Sequence, residues 1–277
     1  MINIREILLL FTLFITSLFE ASGSETEKKY KQGLPIDTAR FEIIYTHVAL
    51  DQVLDRTDFF DEMLMIGDSV MKYGGYGNYQ LDSINAEYKK RNIELSIEER
   101  DKLNREYRTL SETMYTYPEK RQLDFYGFIF INRYKYTEPL PEFDWEITDQ
   151  TDEILGHECV KATARWRGRE WNAWFSDIPI DGGPWKFRGL PGLILKVEDS
   201  EGIHTICADE IREDAIPIPP PYSFVVKSDR KKYNEALKDL RINAGQVLIN
   251  SGMARVTEEE KNQIRKRRLF YSPIELE

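Results

Sequence analysis

Residues 179–192 hold four glycines and three prolines. Proline has no amide to give a ladder and glycine weakens one, so this segment must interrupt whatever sheet flanks it. Both flanks read as strands. The segment is therefore a long, shaped crossing inside a β-rich fold. Gly189 and Gly192 are expected to supply backbone conformations or close approaches that a Cβ would block, and Pro191 to stiffen the turn.

The hairpin before the crossing is the most readable element. With Arg167-Gly168 as a two-residue turn, Trp166 faces Arg169, Ala164 faces Trp171, Ala162 faces Ala173 and Val160 faces Phe175, all on one apolar surface. The other surface pairs Arg165 with Glu170, Thr163 with Asn172 and Lys161 with Trp174, and opposite charges directly across strands are favourable. After the crossing, residues 193–198 and 203–211 form a second hairpin with Leu195, Val197, Ile206 and Ala208 on one face. Cys207 then points to the polar face, as Cys159 does in its own hairpin. Parity permits a Cys159–Cys207 disulfide, with two free thiols as the alternative.

Period-two alternation at residues 37–50 predicts a strand, and residues 59–71 a second strand pair or a bent strand. Ser96-Ile97-Glu98-Glu99 is a capping box, and Leu103, Tyr107, Leu110 and Met114 recur behind it at helical spacing. These predict one helix over 96–115 within a helical insertion at 85–115. Strands resume at 123–136 and 144–147. The run Ile216-Pro217-Ile218-Pro219-Pro220-Pro221 is too rich in proline for a ladder and is expected to cross the surface as extended polyproline. C-terminal helices are expected within 228–268, with Tyr233, Leu237 and Leu240 on one stripe, and the tail from Tyr271 to Leu276 returns to extended structure.

The first residues resemble a secretory signal peptide over 1–23: Arg5, an apolar run over 7–19, then Ala21-Ser22-Gly23. Residues 24–36 read as a flexible start of the mature chain. No Cys lies near the cleavage point, no later segment is apolar enough to span a bilayer, and the expected location is the periplasm or cell envelope. The net charge of −10 argues against nucleic acid or anionic lipid as the main partner.

Catalytic patterns are sparse. Three histidines, at 47, 157 and 204, form no recognised zinc motif. His157 and His204 could meet Cys159 and Cys207 around a metal, but polar strand residues beside a thiol pair explain them as well. Ile66-Gly67-Asp68-Ser69 is similar to the opening block of a Gly-Asp-Ser esterase, yet no histidine follows residue 204 to act as base. Glu142, Asp144 and Glu146 are the nearest local carboxylate cluster. All five tryptophans fall at 145–185. Trp171, Trp174, Trp185 and Phe187 could form an aromatic binding platform, or a second core beneath a covering loop.

Gly189-Leu190-Pro191-Gly192-Leu193-Ile194 resembles the signature of the GLPGLI family of exported Bacteroidetes proteins. The resemblance extends to Gly156-His157-Glu158-Cys159-Val160-Lys161-Ala162-Thr163, to Trp174-Phe175 with Ile178-Pro179-Ile180, and to Gly183-Pro184-Trp185-Lys186-Phe187. Tyr136-Thr137-Glu138, Trp145-Glu146-Ile147 and the closing Ser272-Pro273-Ile274-Glu275-Leu276 also match. It implies an exported envelope protein, often encoded near outer-membrane receptors, and no catalytic residue. Together these readings predict one α+β, β-rich domain over 37–277: a curved antiparallel sheet of about seven to nine strands with about three helices. The expected function is non-enzymatic binding of an apolar or extended ligand, such as a peptide, a lipid or a receptor segment, with no cofactor. A secreted hydrolase using carboxylates and a metal-binding envelope protein are the alternatives.

Overall fold

A computed structural model describes residues 34–52, 55–107, 111–252, 257–262 and 273–276. The expected signal peptide, residues 24–33, and residues 253–256 and 263–268 of the expected C-terminal helices lie outside the described residues.

Two meanders build the fold. The first begins with a short β1 (Asp37–Ala39), then β2 (Phe41–Asp51), β3 (Arg56–Ile66) and β4 (Met71–Gly75). Two helices, α1 (Tyr76–Lys90) and α2 (Ile97–Glu106), leave and re-enter before β5 (Thr113–Tyr117), which pairs directly with β4. β6 (Gln122–Ile129) and β7 (Asn132–Pro139) follow as a hairpin. The second meander is β8 (Glu146–Ile154), β9 (His157–Trp166), β10 (Arg169–Phe175), β11 (Ile194–Asp199) and β12 (His204–Arg212). β2 of the first pairs antiparallel with β12, the last strand of the second. The chain then adds β13 (Ile216–Ile218), β14 (Val226–Lys227), α3 (Arg230–Ile242) and α4 (Ala244–Asn250).

The result is one sheet of twelve strands, in the order β14-β7-β6-β5-β4-β3-β2-β12-β11-β10-β9-β8. All its pairings are antiparallel except β14 on β7. Eight inter-strand steps separate β7 from β10, about 38 Å along a flat sheet. Yet Glu138 on β7 lies 2.7 Å from Arg167 at the β9–β10 turn. The sheet therefore curls until its two ends meet, as strand twist favours. Its concave face holds the larger core, which includes Tyr45, Leu64, Phe125, Trp171 and Phe187. A smaller core on the convex side gathers Ile44, Met65, Tyr115 and Tyr126 under Ile218.

The expected hairpin register holds at every position from Arg169–Trp166 to Phe175–Val160, and Val197 faces Ile206 across β11 and β12. The β-rich architecture holds as well, but several expectations are corrected. Twelve strands exceed the seven to nine expected, because the first meander is longer than its alternation revealed. The helix expected over 96–115 ends at Glu106, and Met114 belongs to β5, buried on the core face. α1 has no side-chain N-cap and starts inside a Gly-Tyr-Gly run, so no start signal announced it. Ile216–Ile218 does form a ladder, pairing with Asp37–Ala39. Pro217 is tolerated because this is a two-stranded edge.

The disulfide is also corrected. Cys159 and Cys207 are free thiols. β10 and β11 lie between their strands, a separation of about 14 Å, against the 7 Å or so that a bridge tolerates. Burial pushes the Cys159 thiol up to about 11, and it raises Cys207 too, so both are poor nucleophiles.

Candidate functional site: the signature loop and its ion cluster

The 176–193 crossing plugs the concave side of the curl. Ser176 N donates to Leu193 O at 2.9 Å, Leu193 N to Ile178 O at 2.9 Å and Ile194 N to Gly182 O at 2.9 Å. Asp181 organises the bend, accepting from Gly189 N at 2.6 Å and pairing with Arg188. Gly189 has φ of +87°, which favours glycine. At Gly192 a Cβ would sit 1.8 Å from Ser176 O, a backbone approach that excludes any side chain. Leu190, Leu193 and Ile194 are buried, and Tyr45 donates to Ile194 O at 2.9 Å.

Three of the four aromatic residues expected as a platform, Trp171, Trp174 and Phe187, are buried. Phe187 packs edge-on against Trp171 at 4.7 Å between centroids, and both are almost fully buried. Trp174 lies on the opposite face of β10, covered by Lys196 at 4.3 Å and Lys161 at 5.5 Å from its ring centre. These pairings supply the cation–π attraction that lets a tryptophan occupy a polar face. Trp185 is half-buried. Its φ of +54° is uncommon for a bulky residue, and its indole donates to Glu275 at 3.0 Å. Trp171, Trp174 and Phe187 belong to the larger core cluster, and Trp185 packs against it.

Lys186 is the centre of a polar cluster that sequence reasoning did not find. Its side chain is fully buried. The ammonium lies 2.6 Å from Glu138, 2.8 Å from Glu275 and 3.1 Å from the Tyr136 hydroxyl, and 5.1 Å from the centre of the Phe125 ring. Arg167 bridges the same two carboxylates, and Arg230 at the start of α3 lies 2.8 Å from Glu275. Burial alone would raise the Glu275 carboxyl; Lys186, Arg167 and Arg230 outweigh it and hold the carboxyl down at about 2. The only prior signal was the resemblance itself, in which Tyr136-Thr137-Glu138 and Ser272-Pro273-Ile274-Glu275-Leu276 are two of several separate matching blocks.

The segment at 273–276 is held at three more points. Arg169 donates to Pro273 O at 2.9 Å, Leu276 N donates to Arg167 O at 3.0 Å, and Ile274 is buried. A second polar string reaches the same segment from β3. Glu62 meets His47 at 3.1 Å, and His47 meets His204 at 3.1 Å. His204 N then donates to Asp199 at 2.8 Å, and Asp199 pairs with Arg169 at 2.5 Å. Glu62 is fully buried and its carboxyl is raised by burial, partly offset by His47.

Other candidates disperse. His204 lies on the concave face and His157 pairs with Asp177 at 3.0 Å, while both thiols sit on the other face, so the four do not converge on a metal. Among the described residues no group of His, Cys, Asp and Glu could hold one. Ser69 lies in the β3–β4 turn, where its amide donates to Asp37 at 2.7 Å. Glu142, Asp144 and Glu146 are exposed, and Glu142 pairs with Arg121. A cavity against the loop, lined by Tyr73, Leu123, Leu140 and Trp185, has about 20 Å³, room for one water.

No known protein-family profile matches the chain, and no curated protein matches it. Among solved structures, two crystal forms of PNGF-II align with 74% of the chain at TM-scores of 0.49 and 0.48, with 15% and 14% identity. The chain spans about a third of that protein's length, 33% and 34% in the two forms. A domain assigned to outer-membrane lipoprotein sorting in Vibrio parahaemolyticus aligns with 80% of the chain and 96% of its own length, at 7% identity and a TM-score of 0.21. Likenesses this distant carry no argument about activity. Among the described residues no helix is long and apolar enough to cross a membrane.

Proposed function

We propose that the chain is an exported cell-envelope protein of the GLPGLI type that binds a partner in extended form. The observation that carries this reading is the segment at 273–276, which bends at Ile274 and packs against the β9–β10 turn. It is gripped through a carbonyl, an amide, one aliphatic side chain and one carboxylate. Those are the contacts by which sheet proteins recognise extended peptides: main-chain bonds give affinity and pockets for alternate side chains give selectivity. The signature loop contributes Trp185 and Lys186 to that grip, which gives the string a recognition role beyond shaping the crossing.

The hydrolase alternative would use the two carboxylates that converge on Lys186. Both oxygens of Glu138 meet a cation, Lys186 or Arg167. Each Glu275 oxygen is likewise paired, one to Lys186 and Trp185, the other to Arg167 and Arg230. A general acid needs a raised pKa and a nucleophile needs a free lone pair. Glu275, held at about 2, has neither. The binding reading is tested by isolating the tagged chain from its native envelope and identifying co-purifying molecules by mass spectrometry. A partner retained at low salt and lost in a Trp185→Ala chain is the expected result. Recovery of no partner or ligand overturns it.

A further inference from the structure

Three cations, Arg167, Lys186 and Arg230, surround two carboxylates in the cluster, and only Glu138 belongs to the sheet. Remove Glu275 and the remaining site is a cleft with two uncompensated positive charges. Its floor accepts an aliphatic side chain, now Ile274. Arg169 waits at one end for a carbonyl, and the Arg167 carbonyl waits at the other for an amide. The φ of +45° at Arg167 belongs to the two-residue turn it forms with Gly168, while Trp185 holds left-handed backbone without being glycine, with φ of +54°. Such conformations persist where surrounding structure over-determines them, and they concentrate in ligand clamps and switches. Here both residues place a donor on Glu275, and Arg167 also presents its carbonyl to Leu276.

We propose that this cleft is a recognition site for a short segment in which an acidic residue follows a Pro-aliphatic pair, and that residues 273–276 occupy it as an internal competitor. The inference rests on the binding reading above and assigns it a place and a ligand chemistry. The selectivity follows from the contacts. A carboxylate meeting an ammonium, two guanidiniums and an indole N–H is recognised by charge-assisted bonds that its amide isostere cannot make. The aliphatic residue one position earlier fills the buried floor. An internal occupant has an effective concentration in the millimolar range, so a rival needs either comparable concentration or additional contacts outside the cleft. The chain would then respond to a partner only when the partner brings both.

The test uses a synthetic peptide of residues 272–277 and the intact chain. In isotope-labelled wild-type protein, exchange of the Leu276 amide is followed by NMR as unlabelled peptide is added to the millimolar range. Displacement accelerates that exchange at least tenfold, whereas the Glu275→Gln version of the peptide leaves it unchanged. In a full-length Glu275→Gln chain the wild-type peptide binds with a midpoint at least tenfold lower than in the wild type. If the variant does not fold, the wild-type exchange experiment decides by itself. Leu276 exchange that never moves, or that moves equally with both peptides, overturns the proposal. A partner recovered from the envelope despite that outcome would leave the binding reading standing at another surface.

Discussion

At Gly192 and Gly189 two different constraints operate, and they predict different costs. A Cβ at 192 would lie 1.8 Å from a backbone oxygen, which cannot swing away as a side-chain tip can. Gly192→Ala should therefore lose about 3 kcal/mol in urea unfolding, and Gly192→Val at least as much. Gly189→Ala meets only ordinary contact with Trp145 at 3.7 Å, so its cost is the positive φ alone, roughly 1 kcal/mol. Equal midpoints for the two alanine variants would show that the close approach is not real. A buried carboxylate makes the opposite kind of prediction. Glu62 has its carboxyl raised by burial, so the protonated form contributes stability below the unfolded value of 4.5. That contribution is lost as pH rises through the folded value. Glu62→Gln removes the ionised form, so its melting temperature relative to wild type should climb as pH rises above 4.5. A difference that is flat with pH, or falls, would contradict the direction of the shift.

How far the elements were legible depended on whether their defining contacts are local. The β9–β10 hairpin could be written residue by residue because a two-residue turn fixes register and a one-residue slip would turn Trp171 outward. The capping box at Ser96 and Glu99 likewise announced the start of α2, since both reciprocal bonds form within four residues. Where that helix ends was not legible. Met114 fits its stripe by spacing but is claimed by β4, through the pairing of Tyr73 with Met114. The glutamate at 275 could be seen only as part of a matched tail, because its partners come from the β9–β10 turn, the crossing loop and α3. The tail it anchors is an element held by charge, and its pH response follows. With the folded carboxyl at about 2 and an unfolded value of 4.5, its contribution is complete above about pH 4.5 and lost as pH falls toward 2. Stability should hold level from pH 7 to pH 5 as far as this group is concerned, then decline, and the Glu275→Gln chain should decline less steeply. Identical acid limbs for the two chains would remove the tail from the account of acid unfolding.

For the whole molecule, the difficulty is closing a twelve-stranded curl without completing a barrel. Among the described residues β8 is an edge strand, with no partner on its outer side. It carries exposed Glu146, Asp149, Asp152 and Glu153 and a bulge between Ile147 and Thr151, which discourage pairing with a second sheet. The opposite end is fastened instead through side chains, Glu138 on β7 to Arg167 and Lys186. None of this was readable from alternation, because strand period fixes which face is buried but not how far the sheet bends. Removing the fully buried cation should consequently act at long range. Lys186→Met leaves Glu138 and Glu275 with the two arginines alone and should cost about 3–5 kcal/mol. Adding Glu138→Gln should recover part of that loss, because the two residues share one network and their effects cannot add. If the cluster is what draws the ends together, amide exchange in Lys186→Met should accelerate together in β7 and at the β9–β10 turn, while the β2–β12 seam stays protected. Acceleration confined to the signature loop would mean that twist and the Phe187 core close the curl by themselves, with the ions merely accommodated.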